Sequence, residues 1–406
     1  MPLVYALPGH PKSGKVWEDR AESVLVLMGW RKIALWNGVF VHTDFSVLCL
    51  YVDDFMMVAT VALGWVHWHH LGEHILFKEE AAPLLRYLGA NYRFDEYAAT
   101  RPDAMRTIAV SLEEYLLALV ARFLDDFPGT PLHRVTSPYP TEQQWSDPSE
   151  EPGLYRSHAA SYVASFLFAS LAGRPDMAAA VRRLTTRVTR WTTSDDAALV
   201  RLMAYAKSEA KLELVGTMGP SDLKNLRLEL STDADWNGDA CSTRSVSGLH
   251  LELVGSVSGN TFPIAWKSSG QTATSNSTAE SEVVSLSHGL RNTGLPVQDL
   301  IQEMIGVRIP LLCKVDNDQA IAAAKRGYSK RLRCLHRTHR IAIGSLHEIF
   351  EDADQQCSIE HVESKRQKGN IYTKAMGPAQ FQEERAMIGM MPAASKTDLG
   401  TSSSSS

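Results

Sequence analysis

The hydrophobic and polar positions along this chain change period several times, and each change predicts a different kind of element. A helical pattern covers residues 16–28. Two β-prone runs, residues 45–52 and 55–59, flank an acidic pair and predict a hairpin with that pair near its tip. A strand is expected at residues 87–94, followed by a helix, and residues 155–212 are mostly helical in pattern.

From about residue 225 the pattern favours strands. Three strand-like runs are followed by a helix from Thr278, a strand at residues 311–315, further helices and a last strand at residues 358–362. This order of β-β-β-α-β-α with a later strand predicts a mixed sheet with flanking helices, in the α/β or α+β class.

Two segments differ in composition from the rest. Residues 126–154 contain six prolines among polar residues, which predicts a linker, and the chain closes on a serine run that predicts a disordered tail. We therefore expect five segments: 1–125, the linker 126–154, a helical region 155–222, a sheet domain 223–380 and the tail 381–406.

Composition narrows the classes of function. Hydrophobic residues make up 44% of the chain and the net charge is −5, so binding to nucleic acid would depend on local basic patches. Five cysteines without a CxxC pair favour a reducing intracellular compartment, the cytoplasm or nucleus. The most apolar stretch is interrupted by Asp53 and Asp54, which argues against a membrane span, and no signal segment is recognised. The oligomeric state stays open.

Three acids occupy positions that suit metal chemistry. Asp233 ends the first predicted strand of the sheet domain, Glu282 lies in the first turns of the next helix, and Asp316 ends the fourth strand. Carboxylates at such positions can point to one edge of a sheet. Two-metal hydrolysis of phosphodiesters needs several carboxylates of this kind, and Mg²⁺ or Mn²⁺ prefers oxygen ligands.

The sequence around these acids resembles one known family in order and spacing. The matching segments are STDADWNGD at 231–239, STRSVSG at 242–248, WKSSGQ at 266–271, STAESE at 277–282, VDNDQAI at 315–321 and RTHRI at 337–341. Upstream, they are YVDD at 51–54, YRS at 155–157 and RPD at 174–176. Together they resemble the C-terminal part of a copia-type retrotransposon Pol polyprotein, a transposable-element product with a reverse transcriptase tail and a ribonuclease H domain.

The resemblance implies a function and roles for the acids. It implies a ribonuclease H-like sheet, preceded by a partial reverse transcriptase palm and a helical connection, and an endonuclease that hydrolyses the RNA strand of RNA–DNA hybrids. Asp233 would bridge two Mg²⁺ or Mn²⁺ ions, while Glu282, preferred over Glu280, and Asp316 would hold one each. Asn370 stands where the family has a fourth acid, so the sequence leaves open whether the hydrolase is active.

The polymerase part is expected to be incomplete. Asp53 and Asp54 match the family's YVDD motif, but polymerisation needs a further aspartate upstream. Residues 3–9 already resemble a segment that follows that aspartate. We therefore expect no polymerase activity from this chain alone.

A basic segment, residues 325–340, is the predicted contact to a nucleic acid backbone, with no acid in the run. Its candidate binding residues are Lys325, Arg326, Lys330, Arg331, Arg333, Arg337 and Arg340.

Two alternatives remain open from the sequence. One is a catalytically decayed remnant that binds nucleic acid without enzymatic activity. The other is a zinc hydrolase in which His70 and His74, in the pattern H-x-x-E-H, share a helix face and hold the metal.

Overall fold

The computed structural model describes residues 11–94, 104–140, 151–239 and 242–393. The described α-helices are α1 Ser13–Leu27, α2 Val61–Gly72, α3 Glu113–Asp126, α4 Ala159–Ala172, α5 Ala178–Arg187, α6 Thr193–Ser208, α7 Thr278–Gly289, α8 Leu295–Ile305, α9 Asp318–Arg326, α10 Leu335–Thr338, α11 Ile343–Glu351 and α12 Pro378–Met387. The described strands are β1 Arg31–Lys32, β2 Val39–Val41, β3 Val47–Tyr51, β4 Asp54–Val58, β5 Arg86–Tyr87, β6 Ala90–Phe94, β7 Arg106–Ser111, β8 Leu212–Met218, β9 Leu226–Asp235, β10 Val246–Gly255, β11 Thr261–Gly270, β12 Leu311–Val315, β13 Cys357–His361 and β14 Met390–Pro392. The fold is thus mixed α/β with several sheets, as the sequence predicts at this level.

The chain forms two compact units whose limits differ from the predicted segments. One unit comprises residues up to Leu84 together with Pro296–Ile309, and the other comprises Leu85–Leu295 with the residues from Pro310 onward. The predicted segment 1–125 is divided between the units because β7 pairs antiparallel with β8. This pairing ties the residues after Leu84 to the second unit. Segments 155–222 and 223–380 contribute to that same unit, apart from Pro296–Ile309.

The first unit contains an antiparallel sheet in the order β1-β2-β3-β4. Strands β3 and β4 form the predicted hairpin, in which Tyr51 pairs with Asp54 and Val52 takes a φ of 56° at the tip. Apolar side chains from α1, α2, the residues that follow these helices and the sheet form its core, namely Val24, Leu25, Trp30, Phe40, Leu48, Leu71 and Ile75. On another side of the sheet, Leu300 and Met304 of α8 pack against a second group of buried residues.

The second unit contains a five-stranded mixed sheet in the order β11-β10-β9-β12-β13. Strands β11, β10 and β9 pair antiparallel, whereas β12 pairs parallel with β9 and β13 parallel with β12. Most of the β9 side chains are buried on both faces, which is typical of a central strand covered by helices. Helix α7 packs against β9 and β10. The sheet therefore places the ends of β9 and β12 side by side.

A second sheet of this unit, in the order β14-β8-β7-β6-β5, adjoins a large core built from α3 to α6 and α12. Within that core the Arg174 guanidinium and the Asp176 carboxylate form an ion pair at 2.8 Å, and both side chains are fully buried. The Tyr205 hydroxyl donates to the same carboxylate at 2.6 Å. In this fold the arginine and the aspartate of the RPD motif therefore form a buried ion pair inside the core.

Two predicted segment types are corrected here. The prediction of a disordered tail from residue 381 is wrong for residues 381–393, because Phe381 is fully buried in α12 and β14 pairs with β8. The prediction of a linker over 126–154 is wrong for residues 127–140, because Tyr139 is buried and its ring packs edge-on against Phe381 at 5.4 Å. Residues 141–150 and 394–406 lie outside the described residues. Within the described ranges, no helix combines the length and apolar character needed to cross a membrane.

Candidate metal centre

The three predicted acids of the sheet domain meet at one edge of the mixed sheet. Ser231 of β9 pairs in parallel register with Lys314 of β12, and Asp233 and Asp316 each lie two residues beyond that pair. Glu282 approaches from α7. One ligand oxygen from each of Asp233, Glu282 and Asp316 lies within 4.8 Å of the others. The register of two neighbouring parallel strands, together with one helix, therefore builds the cluster.

Local hydrogen bonds hold these acids in place. The amide of Ala234 donates to Oε1 of Glu282 at 3.3 Å, and the hydroxyl of Ser364 donates to Oδ2 of Asp316 at 2.7 Å. The hydroxyl of Thr373 donates to Oδ2 of Asp233. Asp233 is 2% exposed and Glu282 3% exposed, so two of the three acids are shielded from solvent.

Burial and mutual repulsion disfavour three negative charges in this cluster. Burial, followed by the charges of Asp233 and Asp316, raises the pKa of Glu282 to about 9. Burial also raises the pKa of Asp233, although the neighbouring Lys374 opposes this shift. Oε2 of Glu282 is buried without a hydrogen-bond partner among the described residues. Within the described chain, three carboxylates face a single cation, Lys374, and one buried carboxylate oxygen has no partner. An all-oxygen donor set of this kind fits a hard divalent cation.

The neighbouring acid Glu280 has a different role from Glu282. Oε1 of Glu280 accepts from the hydroxyl of Thr338 at 3.2 Å, and Oε2 accepts from the backbone and side-chain nitrogens of Asn276 at 3.0 and 3.1 Å. The two oxygens therefore fasten the start of α7 to the end of α10 and to the loop before α7. Of the two acids, Glu282 is the one that joins the carboxylate cluster.

Asn370 is linked to Asp316 and Asp233 through the intervening residues Ser364 and Thr373. Its Nδ2 donates at 2.8 Å to the carbonyl of Ser364, whose hydroxyl binds Asp316. Its own carbonyl accepts at 3.0 Å from the hydroxyl of Thr373, which also binds Asp233. The amide oxygen Oδ1 of Asn370 is buried without a partner among the described residues. The fourth predicted position thus borders the cluster with a neutral group.

A close backbone approach fixes the segment that carries Asn370. A Cβ added to Gly369 would lie 2.7 Å from the Asp233 amide nitrogen and 2.8 Å from the Asp233 Cβ. Gly248 faces this segment from β10, where an added Cβ would lie 2.5 Å from the Gly369 carbonyl oxygen. Both positions require glycine. A larger residue at 369 would press on the backbone of Asp233, and one at 248 would press on the segment that carries Asn370.

The predicted basic segment is exposed around α9 and α10. All seven candidate residues, Lys325, Arg326, Lys330, Arg331, Arg333, Arg337 and Arg340, are exposed, and none pairs with an acid in the part of the chain that is described. A groove of about 910 Å³ runs between residues 326–334 and the N-terminal end of α7. The groove therefore carries a strip of free cations beside the helix that supplies Glu282.

Part of the chain is similar in sequence to a known protein. A stretch of 127 residues, 31% of this chain, is 31% identical to Secreted RxLR effector protein 161 of Plasmopara viticola and covers 82% of that protein. The chain belongs to the family of that protein.

The other comparisons add less. Prototype Foamy Virus Protease-Reverse Transcriptase aligns with a TM-score of 0.23 and 11% identity over 40% of this chain, which spans 20% of the viral chain. A TM-score of this size carries no argument about the fold. No protein-family model matches the sequence.

The polymerase motif remnant and the histidine pair of the zinc alternative lie elsewhere in the fold. Asp53 and Asp54 are exposed at the tip of the β3–β4 hairpin. His70 and His74 are both exposed, and α2 ends at Gly72 between them, so they do not share a continuous helix. Among the described residues, neither pair belongs to a group of metal-ligating side chains.

Several residues at the cluster were not singled out from the sequence. Thr373 and Lys374 contact Asp233, and Ser364 contacts Asp316. Glu384 of α12 is 4% exposed, with Oε2 lacking a partner in the described chain. Burial raises the pKa of Glu384, and the charge of Asp233 adds to the shift. Helix α12 falls within the predicted tail, so no sequence signal drew attention to Glu384.

Proposed function

We propose that this protein is a copia-type retrotransposon-derived ribonuclease H-like nuclease that hydrolyses the RNA strand of RNA–DNA hybrids. The observation that carries the proposal is the convergence of Asp233, Glu282 and Asp316 from β9, α7 and the end of β12. The strand order β11-β10-β9-β12-β13 supports the ribonuclease H-like fold that the motif resemblance implies.

Asp233, Glu282 and Asp316 would hold the divalent cations, Mg²⁺ or Mn²⁺. Two such ions, when bound, activate water and stabilise the leaving oxygen of a phosphodiester. The protein's own contribution is to fix the carboxylates through Thr373, Ser364 and the Ala234 amide, and to exclude bulk water from Asp233 and Glu282.

The exposed basic segment supports a nucleic acid as the substrate. Its seven unpaired cations suit contacts to a phosphate backbone, and hybrids are recognised mainly through backbone shape and 2′-hydroxyl groups. Because the residues that form the groove also include Ser277 and Glu280 of the α7 start, a backbone bound there would run towards the carboxylates.

The test is cleavage of a labelled RNA–DNA hybrid by the purified chain in Mg²⁺ and in Mn²⁺, compared with Asp233→Ala. The matched control is Asp53→Asn, which removes one exposed acid from the other unit. Cleavage by the wild type and the control that is lost in Asp233→Ala is the expected result. Cleavage that persists in Asp233→Ala would exclude the proposed site.

A second candidate function is favoured by Asn370, whose neutral side chain stands beside the cluster. In this alternative the protein is a catalytically decayed remnant that binds nucleic acid only. Hybrid binding by a wild type that shows no cleavage in either metal would select the remnant over the nuclease.

A further inference from the structure

A second cluster of metal-ligating side chains lies in the first unit, apart from the motifs discussed above. It consists of His42, Asp44 and His67, each offering one ligand atom within 4.8 Å of the others. His42 and Asp44 lie in the tight loop between β2 and β3, and His67 lies on α2. The loop and the helix thus bring together Asp44 and His67, which are 23 positions apart in the sequence.

The contacts in this cluster are centred on the carboxylate. Nδ1 of His42 lies 3.1 Å from Oδ1 of Asp44, and Nε2 of His67 lies 2.9 Å from Oδ2. The backbone amide of Ser46 also donates to Oδ1 at 2.9 Å, which fixes the carboxylate within its loop. Each carboxylate oxygen therefore faces one imidazole.

The surroundings hold the imidazoles and leave one side open. The Trp30 ring packs against both, with ring centroids 5.3 Å from His42 and 4.9 Å from His67. The side chains of His42 and Asp44 are 21% and 23% exposed, whereas His67 is 7% exposed. The indole Nε1 of Trp30 is buried without a partner among the described residues.

We propose that His42, Asp44 and His67 form a binding site for a zinc ion, with a water molecule or another small ligand in the fourth position. Two imidazoles and one carboxylate are a common three-residue ligand set for tetrahedral Zn²⁺. At bond lengths of about 2.0–2.1 Å, tetrahedral ligand atoms lie roughly 3.3 Å apart, so the observed contacts need only small shifts. The open side at His42 and Asp44 provides the fourth position.

The bound zinc ion would connect the β2–β3 loop to α2. Phe40 and Leu48 of the strands on either side of this loop, and Leu71 of α2, already pack in the apolar core of this unit. Because zinc binds the folded unit with its assembled ligands, it raises the thermal stability of that unit by mass action. This site is independent of the proposed nuclease, since it shares no residue with the carboxylate cluster.

The test measures Zn²⁺ and Co²⁺ binding by the full, untagged chain after removal of metal with a chelator. All proteins carry Asp233→Asn, so that the carboxylate cluster contributes equally little. Into this parent are introduced His42→Ala, Asp44→Asn and the control His69→Ala, whose side chain is 80% exposed on the same helix. Asp44→Asn keeps the size of the side chain, which guards against loss of folding.

The parent and His69→Ala are expected to bind one equivalent of added Zn²⁺ and to show the visible d–d absorption of four-coordinate Co²⁺. His42→Ala and Asp44→Asn are expected to bind at least 10-fold more weakly, and Zn²⁺ should raise Tm in the parent but not in Asp44→Asn. A parent that binds no added Zn²⁺, or equal affinity in the parent and in a folded Asp44→Asn, would overturn the proposal. Neither outcome depends on nuclease activity.

Discussion

The ammonium group of Lys374 lies 3.7 Å from Oδ2 of Asp233, at the buried edge of the mixed sheet. Burial lowers the pKa of Lys374, but the charges of the surrounding acids, led by Asp233, raise it above its ordinary value. Lys374 is therefore the internal counter-charge of the carboxylate cluster, and it occupies the electrostatic role that a divalent cation would also fill.

We expect Lys374→Met to lower the Tm of the metal-free protein by about 2–4 °C, the shift for a change of about 1 kcal/mol in a domain of this size. The reason is that the cluster loses its counter-charge. Added Mg²⁺ should recover the loss, and Mg²⁺ should bind more tightly than to the wild type because a competing cation is gone. Thermal unfolding with and without Mg²⁺ measures both effects.

The control for this experiment is Lys365→Met, which removes an exposed cation from the same stretch of chain. Equal destabilisation of both variants, or a Lys374→Met variant that Mg²⁺ does not stabilise further than the wild type, would contradict the assigned role.

The pKa of Glu282, raised to about 9, makes the stability of the metal-free protein depend on pH. Between the ordinary value near 4.5 and about 9, the folded state holds a proton that the unfolded state has lost. The contribution of Glu282 to the free energy of unfolding is therefore fully present below pH 4.5. It is lost as the pH rises towards 9, by on the order of 1 kcal/mol per pH unit.

Glu282→Gln should flatten this dependence, because an amide carries no proton to lose. Tm measured from pH 5 to 9 in the presence of a chelator is the readout, with Glu360→Gln, an exposed acid on β13, as the control. Identical slopes for Glu282→Gln and the wild type would show that Glu282 is ionised in the folded protein.

Asn370→Asp should increase metal-dependent cleavage at least 10-fold. The reason is that it adds a carboxylate next to Thr373 and Ser364, the residues that hydrogen-bond to Asp233 and Asp316. In metal-free protein it should lower the free energy of unfolding by about 1–3 kcal/mol, because a buried donor to Ser364 becomes a charge near Glu384. Single-turnover rates and denaturant unfolding measure the two effects.

Combining Asn370→Asp with Glu384→Gln separates the causes. The second substitution should recover part of the lost stability. It replaces Glu384, a buried acid whose pKa is raised, with a neutral amide that does not repel the new carboxylate at position 370. If Asn370→Asp leaves the rate unchanged while divalent cations still bind, position 370 does not contribute to the reaction.

Gly369→Ala should displace Asp233, because the new methyl group would meet the Asp233 backbone nitrogen at 2.7 Å. Overpacking of this kind costs about 1–3 kcal/mol, and we expect a parallel loss of Mg²⁺ affinity. Gly377→Ala is the comparison, since a Cβ there has no neighbour within 4 Å. Equal Mg²⁺ affinity in both variants would argue against the close approach as a constraint on the site.

The double substitution Arg331→Gln/Arg333→Gln should weaken hybrid binding and reduce the slope of log affinity against log salt by up to about 2. The matched control, Lys207→Gln/Lys211→Gln, removes two exposed cations from the same unit. Fluorescence anisotropy across a salt series provides the measurement. Equal slopes in both variants would remove the basic segment from the proposed interface.

The sequence predicts well where a periodic pattern or strand register decides the structure. The strand at residues 311–315 and the helix start at Thr278 agree with the structure, and the meeting of Asp233 with Asp316 follows from their places at the ends of two strands. The catalytic roles of these acids stay predictions.

The features that the sequence does not reveal depend on distant pairings. Strand β14 has three residues and pairs with β8 from far along the chain, so no local period marks it. The grouping of His42 and Asp44 with His67 arises from a loop that meets a helix, whereas motif spacing pointed to His70 and His74. Serine-rich composition at the end of the chain also led to a predicted tail that begins too early.

The parallel pairing of β9 with β12 has a consequence for how the molecule folds. Leu228 pairs with Leu311, so the chain must close a loop of more than eighty residues before the two central strands hydrogen-bond. Closing such a loop costs conformational entropy before any contact compensates for it, and proteins with many distant pairings fold slowly. The carboxylate cluster should consequently assemble late, after the β9–β10–β11 meander has formed.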